Sequence, residues 1–271
     1  MMSEKEVKRF VKRILAPLLY HRKIHAYGLG HGKTGTNSIS GLLEKNYRSV
    51  HEPESKELIE FILQSESGNY SASQKEKYVR RRDKNLWLEF DSSVLNVFIL
   101  DQLIESFPDA KFILTIRDCY SWLNSTINYH GSGYLPPFFT ELMQSWFRPM
   151  DFDFSPEETI LQQNNLFPVE CYLASWATHN QTVLDKVPSS RLLVVKTPEI
   201  GKRIPEIAAF LGVSQASLDE KKSHLYKSDK KLNLLSQLDK NFIEKKVDMH
   251  CRDLMNAYFP EIRTINDVFP D

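Results

Sequence analysis

The stretch that decides the fold is Ile24 to Ser38, IHAYGLGHGKTGTNS. Four residues of strand character, Ile24 to Tyr27, run into a glycine-rich turn, and an apolar-periodic helix follows over Ile39 to Leu43. Gly30, Gly32 and Gly35 let the backbone approach a ligand closely, and amides at a helix start point toward an anion. Lys33 adds a point charge. A bare turn explains the glycines but not a lysine, two threonines and an asparagine at a strand-to-helix junction. Gly32, Lys33, Thr34, Gly35, Thr36 and Asn37 therefore read as a phosphate cradle.

Working outward, Tyr47 to Val50 is a second short strand and 54–64 has helical periodicity. Residues 66–85 are polar and charged and read as an exposed excursion or lid. LWLEF (86–90) is a buried-strand pattern, followed by Asp91 and by Ser92 or Ser93 as cap of a helix reaching about Ser106. KFILTI (111–116) is continuously apolar, the mark of a central parallel strand, and ends at Arg117; a helix starts near Tyr120. Residues 130–166 are rich in Pro, Gly and aromatics and read as an irregular substrate-side insertion, with Tyr134, Phe138, Phe139, Trp146, Phe147, Phe152 and Phe154 as apolar walls. Helical periodicity returns over 168–187, RLLVV (191–195) is another strand, and 204–211 is a helix stopped by Gly212. Residues 239–260 form a C-terminal helix.

This alternation predicts an α/β fold over one domain, 1–271: a parallel β-sheet flanked by helices, a P-loop-type three-layer sandwich with a helical C-terminal tail. Ligands of such sheets bind at the carboxyl ends of the strands, which selects Gly28 to Asn37, His51, Asp91, Arg117 and Lys196.

The chain has 271 residues with 35 basic and 35 acidic side chains, so no net charge draws it to nucleic acid. No stretch reaches the length of a membrane span, so no transmembrane segment is expected. Residues 1–22 read as a basic amphipathic helix, Val7, Phe10, Val11, Ile14 and Leu15 opposite Lys8, Arg9, Lys12 and Arg13. It packs on the domain or lies on a membrane surface. Three scattered cysteines fit reduced thiols and a cytoplasmic setting.

Spacing separates two kinds of cradle. The nucleoside-triphosphate loop is G-x-x-x-x-G-K-[ST]; Gly32-Lys33-Thr34 supplies its end, but its first glycine falls on Tyr27. An ATP-dependent P-loop kinase therefore stands as the alternative. The core KTGTN instead resembles the 5′-phosphosulfate loop of the sulfotransferases that use 3′-phosphoadenosine 5′-phosphosulfate (PAPS). KFILTIRDCYSWLNS carries an Arg at a strand end and a Ser eight residues on, Arg117 and Ser125, similar to that family's grip on the donor's 3′-phosphate. RLLV and FLGV in the late strand and helix agree, so the likeness spans most of 24–260.

The resemblance implies sulfuryl transfer from PAPS to a hydroxyl or amine of a small-molecule, glycan or lipid acceptor, with no metal. It implies Lys33 near the bridging oxygen and a general base at or past the strand before the arginine strand. Asp91 is the first candidate, Glu89 shares its side-chain parity, and His51 is the third. An N-cap role explains Asp91 as well. A late basic loop holds Lys227, Lys230 and Lys231, either a further 3′-phosphate grip or a solvated turn. His179-Asn180 resembles a helix motif of some members, and a core histidine explains it equally. A nucleotide-binding homologue without turnover is the non-enzyme alternative.

Overall fold

The computed structural model describes residues 19–133, 136–223 and 232–270. The basic segment 1–18 and the late lysines Lys227, Lys230 and Lys231 lie outside them. Five strands, β1 (Ala26–Gly28), β2 (Ser49–His51), β3 (Phe90–Ser92), β4 (Lys111–Ile116) and β5 (Leu192–Lys196), form one sheet in the order β2-β3-β1-β4-β5. Every neighbouring pair is parallel. The helices are α1 (Thr36–Glu44), α2 (Ser55–Glu66), α3 (Ala72–Leu86), α4 (Leu100–Ser106), α5 (Cys119–His130), α6 (Pro137–Phe147), α7 (Thr159–Gln163), α8 (Val169–Lys186), α9 (Ile204–Leu211), α10 (Lys240–His250) and α11 (Arg252–Tyr258).

β4 shows why the sheet is covered on both sides. Phe112 and Leu114 point into a core with α2, α3, α4 and α8, while Ile113 points into another with α1 and α9. Successive side chains of a strand face opposite ways, so a continuous apolar run needs two apolar layers. A third cluster joins Ile116 to α5, α8, α10 and α11 beyond the end of β4. The α/β three-layer arrangement and the helical tail are as the sequence predicts.

Several boundaries differ. The 66–85 excursion is largely the helix α3, started by a capping box in which Ser71 accepts from the Gln74 amide and Gln74 answers to Ser71. That helix continues through Leu86, so the strand expected over 86–90 starts only at Phe90. The aromatic insertion contains α6, and Trp146, Phe147, Phe152 and Phe154 pack into or against the core rather than wall a pocket. The expected C-terminal helix breaks at Cys251 into α10 and α11.

Candidate active site

The β1–α1 loop is built from residues that small changes would disturb. A Cβ on Gly30 would lie 1.9 Å from Thr115 Oγ1 and 2.6 Å from Thr34 Oγ1, so only glycine fits there. Thr34 donates to the His31 carbonyl at 2.7 Å and shares a hydrogen bond with Thr115 at 2.9 Å, which ties the loop to β4. Thr197 donates to the Thr34 carbonyl at 2.6 Å, which ties it to the end of β5. Lys33 (φ 68°) and Gly35 (φ 97°) are both left-handed, and a single right-handed turn cannot place the amides as they stand. Such alternation turns successive N–H groups inward to form an anion nest. The amides of Lys33, Gly35, Thr36 and Asn37 have no hydrogen bond to another backbone group among the described residues. A Cβ on Gly32 would meet nothing within 4 Å, so space is open beside that residue.

Helix α5 lies over that concave side. Asp118 caps it by accepting from the Ser121 amide at 2.7 Å. That bond takes one oxygen of Asp118, whose charge still raises the pKa of Arg117. Trp122, Ser125 and Tyr129 recur at i, i+3 and i+7 and share one face. Trp122 Nε1 donates to the Gly32 carbonyl at 2.8 Å, and the Lys33 ammonium sits 4.6 Å from the centre of the Tyr129 ring. Ser125 therefore faces the loop between these two contacts.

Arg117, at the end of β4, reaches back to the Lys33 carbonyl at 3.5 Å. Burial lowers the pKa of both cations, and the charge of Arg117 lowers that of Lys33 further. No carboxylate lies within ion-pair distance of either among the described residues. Two half-buried cations that repel each other beside a nest of free amides make a site for a polyanion. No group of three or more His, Cys, Asp or Glu among the described residues is arranged to hold a metal ion.

The model of the family described as "Sulfotransferase domain" matches residues 27–219, from the end of β1 to beyond α9. The chain belongs to the sulfotransferase family. Sulfotransferase STF9 from Mycobacterium avium superposes with a TM-score of 0.51 at 12% identity, covering 93% of this chain and 81% of that one, which bears on the fold. The sulfotransferase from Alicyclobacillus acidocaldarius gives 0.45 at 16% identity, covering 83% and 93%, and STF1 from Mycobacterium tuberculosis gives 0.48 at 12%, covering 89% and 81%. No protein with a curated description matches the sequence.

Within this sulfotransferase domain the structure sorts the base candidates. Glu89 precedes β3 and lies at the amino end of the sheet, away from the loop; its carboxylate accepts the Lys23 and Arg48 amides, each at 2.9 Å. That placement corrects the expectation that it faces the site. Asp91 lies inside β3, buried, paired with Arg82 at 2.5 Å; Arg82 also donates to the Pro53 carbonyl at 2.9 Å. Arg82 binds one oxygen of Asp91, and the other lies 3.4 Å from Asn96 Nδ2. His51 does reach the loop: its Nε2 is 3.1 Å from Thr36 Oγ1, and burial lowers its pKa.

Glu52 is a further carboxylate at these strand ends, beyond the three candidates. It follows β2 with a left-handed backbone (φ 52°) that presents its side chain toward β3. Its carboxylate accepts from Ser93 Oγ at 2.5 Å and from the Val94 amide at 2.9 Å. Burial outweighs both bonds and pushes its pKa up to about 7. Its charge, after burial, raises the pKa of the Tyr129 phenol, so the two groups lie within electrostatic range of each other. The only sequence signal was its position, a carboxylate directly past the end of a parallel strand.

His31, His130 and His179 are explained by packing. His31 stacks on Trp146 (centroids 4.5 Å apart, planes 20°) and meets Trp122 edge-on at 4.7 Å, so it forms an aromatic floor under the loop. His179 Nε2 is 2.7 Å from the Leu29 carbonyl. His130 is pushed down to about 4 by burial and then by Lys33, and its Nδ1 lies 3.1 Å from the Tyr172 hydroxyl.

Proposed function

We propose that the protein transfers the sulfuryl group of PAPS to a hydroxyl or amine acceptor, a small molecule, glycan or lipid. One observation carries this reading: Lys33 and Arg117, from two different strand ends, meet without carboxylate partners at a nest of free amides. A donor with both a 5′-phosphosulfate and a 3′-phosphate supplies the charge that such a site lacks. The open space at Gly32 leaves room for it.

The amides of Lys33, Gly35, Thr36 and Asn37 and the Thr36 hydroxyl bind the 5′-phosphate, with His51 fixing Thr36. Arg117 and Ser125 bind the 3′-phosphate, the guanidinium as a forked donor. In the chemical step the acceptor oxygen forms a bond to sulfur, while the bond from sulfur to the bridging oxygen of the phosphate breaks. The acceptor proton passes to Glu52, whose pKa near 7 suits a base at neutral pH. Lys33 neutralises the negative charge that stays on the leaving phosphate oxygen. Asp91 stays paired with Arg82 in this reading and carries no proton.

Thermal unfolding with PAPS, its desulfated product, ATP or ADP, each with and without magnesium, tests the reading. Stabilisation by PAPS and its product without magnesium is the expected result. Preference for magnesium-ATP assigns the site to a kinase instead. Stabilisation by PAPS with no sulfate passed to any acceptor in a broad screen assigns a binding homologue.

A further inference from the structure

The opposite end of the sheet carries a second cationic cavity that sulfuryl transfer does not use. It measures about 380 Å³ and lies where β1, β2 and β3 begin. Its lining brings Lys23 from before β1, Lys45 from after α1, Arg48 from before β2, and Arg22. Tyr20, Tyr47 and Trp87 supply aromatic walls. The volume is at the small end of the range for small-molecule pockets, about 300–1,000 Å³.

The cations of this cavity outnumber its carboxylates: Arg22, Lys23, Lys45 and Arg48 stand against Glu89 in the lining and Asp83 beside it. Its one carboxylate, Glu89, is buried and spends both oxygens on the amides of Lys23 and Arg48. Asp83 neutralises Arg22 from outside the lining, at 3.0 Å. Neither Lys23, Lys45 nor Arg48 has an ion pair among the described residues. The carbonyl end of α1 accounts for a cation at Lys45 but not for those at Lys23 and Arg48.

Of the two arginines, Arg22 is engaged by both oxygens of Asp83, and Arg48 is held in place with N–H groups to spare. Arg22 lies between Asp83 and the Trp87 ring, 4.4 Å from its centre. Arg48 lies 5.4 Å from the centre of the Tyr20 ring and donates to the Leu86 carbonyl at 2.9 Å. The polar ends of the aromatic walls are already bonded, Trp87 Nε1 to the Tyr20 carbonyl and the Tyr47 hydroxyl to Ser217. A ligand therefore meets ring surface and cationic N–H groups. The Arg48 guanidinium, fixed before binding, loses little freedom on grasping an oxyanion.

We propose that this cavity binds a small phosphate or sulfate monoester, remote from the donor site and independent of it. The ester group is either carried by a soluble sugar-like molecule or exposed on a lipid headgroup, and the two sources are separated by the probe.

The test uses the full chain with Lys33→Ala and Arg117→Ala, which removes the loop site, so that the result stands whether or not PAPS is the donor. Calorimetric titration with glucose 6-phosphate and sedimentation with vesicles containing phosphatidic acid are the two arms. Binding in either arm is expected. Adding Lys23→Gln and Lys45→Gln, two exposed side chains, weakens it by about tenfold or more, since each charged hydrogen bond contributes about 1.5–3 kcal/mol. Lys23→Arg with Lys45→Arg restores it, which separates charge from fold. Absence of binding in both arms, or affinity unchanged by the glutamine pair, overturns the proposal.

Discussion

The Lys33 ammonium lies 4.6 Å from the centre of the Tyr129 ring, so the cation of the loop rests on a helix launched from a different strand. The contact holds by ring charge distribution and does not need the phenol oxygen. Tyr129→Phe keeps turnover within about twofold, whereas Tyr129→Leu lowers kcat by roughly three- to thirtyfold, matching the 0.5–2 kcal/mol of such contacts. Lys33→Ala abolishes measurable transfer. Steady-state kinetics with a saturating donor distinguishes these outcomes.

Arg117 makes no ion pair among the described residues, the charge of Asp118 acting on it only at longer range, so its removal acts on the ligand more than on the fold. Arg117→Ala weakens binding of the 3′,5′-bisphosphate by roughly ten- to a hundredfold, the range for a charged hydrogen bond to phosphate. Binding of the same nucleotide without its 3′-phosphate changes little. Competition titration of the two nucleotides reads the difference directly.

Glu52 must be ionised to accept a proton. With its pKa raised to about 7, activity is lost as pH falls through that value and is level above it. Glu52→Gln lowers kcat by about 10²–10⁴-fold and abolishes this limb of the profile. The same shift acts on stability with the opposite sign. Between the unfolded value and about 7 the folded chain holds the proton that the unfolded chain has released, so stability falls as pH rises through that window. The melting temperature of Glu52→Gln therefore drops less than that of the parent between pH 5 and pH 8.

Asp91 and Arg82 are both buried, and each leaves an uncompensated charge when the other is removed. Asp91→Ala and Arg82→Ala each cost about 3–5 kcal/mol. Denaturant unfolding of the two variants is expected to show losses of similar size. A loss of activity in Asp91→Ala without a loss of stability would return the base role to Asp91.

Gly30 and Gly32 separate fold from binding within one loop. Gly30→Ala places a methyl group 1.9 Å from Thr115 Oγ1 and lowers the melting temperature markedly. Gly32→Ala points its methyl group into open space; it melts with the parent, within about 0.5 kcal/mol, but binds the donor more weakly. Thermal melts with and without nucleotide check both.

The loop and Arg117 were legible because both sit at strand ends that the sequence marks clearly. KFILTI is β4 from first residue to last, and Gly212 stops α9 with a left-handed backbone (φ 76°) as glycine does. Glu89 and Asp91 were misplaced for one reason. LWLEF has strand character, yet Leu86 still belongs to α3, so the strand begins four residues later than it reads and carries Asp91 inside it. α3 itself was hidden because its outward face is almost wholly charged, and its buried contribution among apolar residues is Val79. Glu52 was hidden because its left-handed backbone is set by neighbours remote in sequence. The aromatics of 130–166 look like an open wall when neighbours are unknown, and Trp146 is instead the floor beneath His31.

The pairing of β1 with β4, Tyr27 beside Phe112 and Gly28 beside Ile113, has a further consequence. One of these strands delivers Lys33 and the other delivers Arg117, so their separation is set by backbone hydrogen bonds deep in the sheet, not by any surface loop. The molecule thereby carries a fixed gauge for its anion.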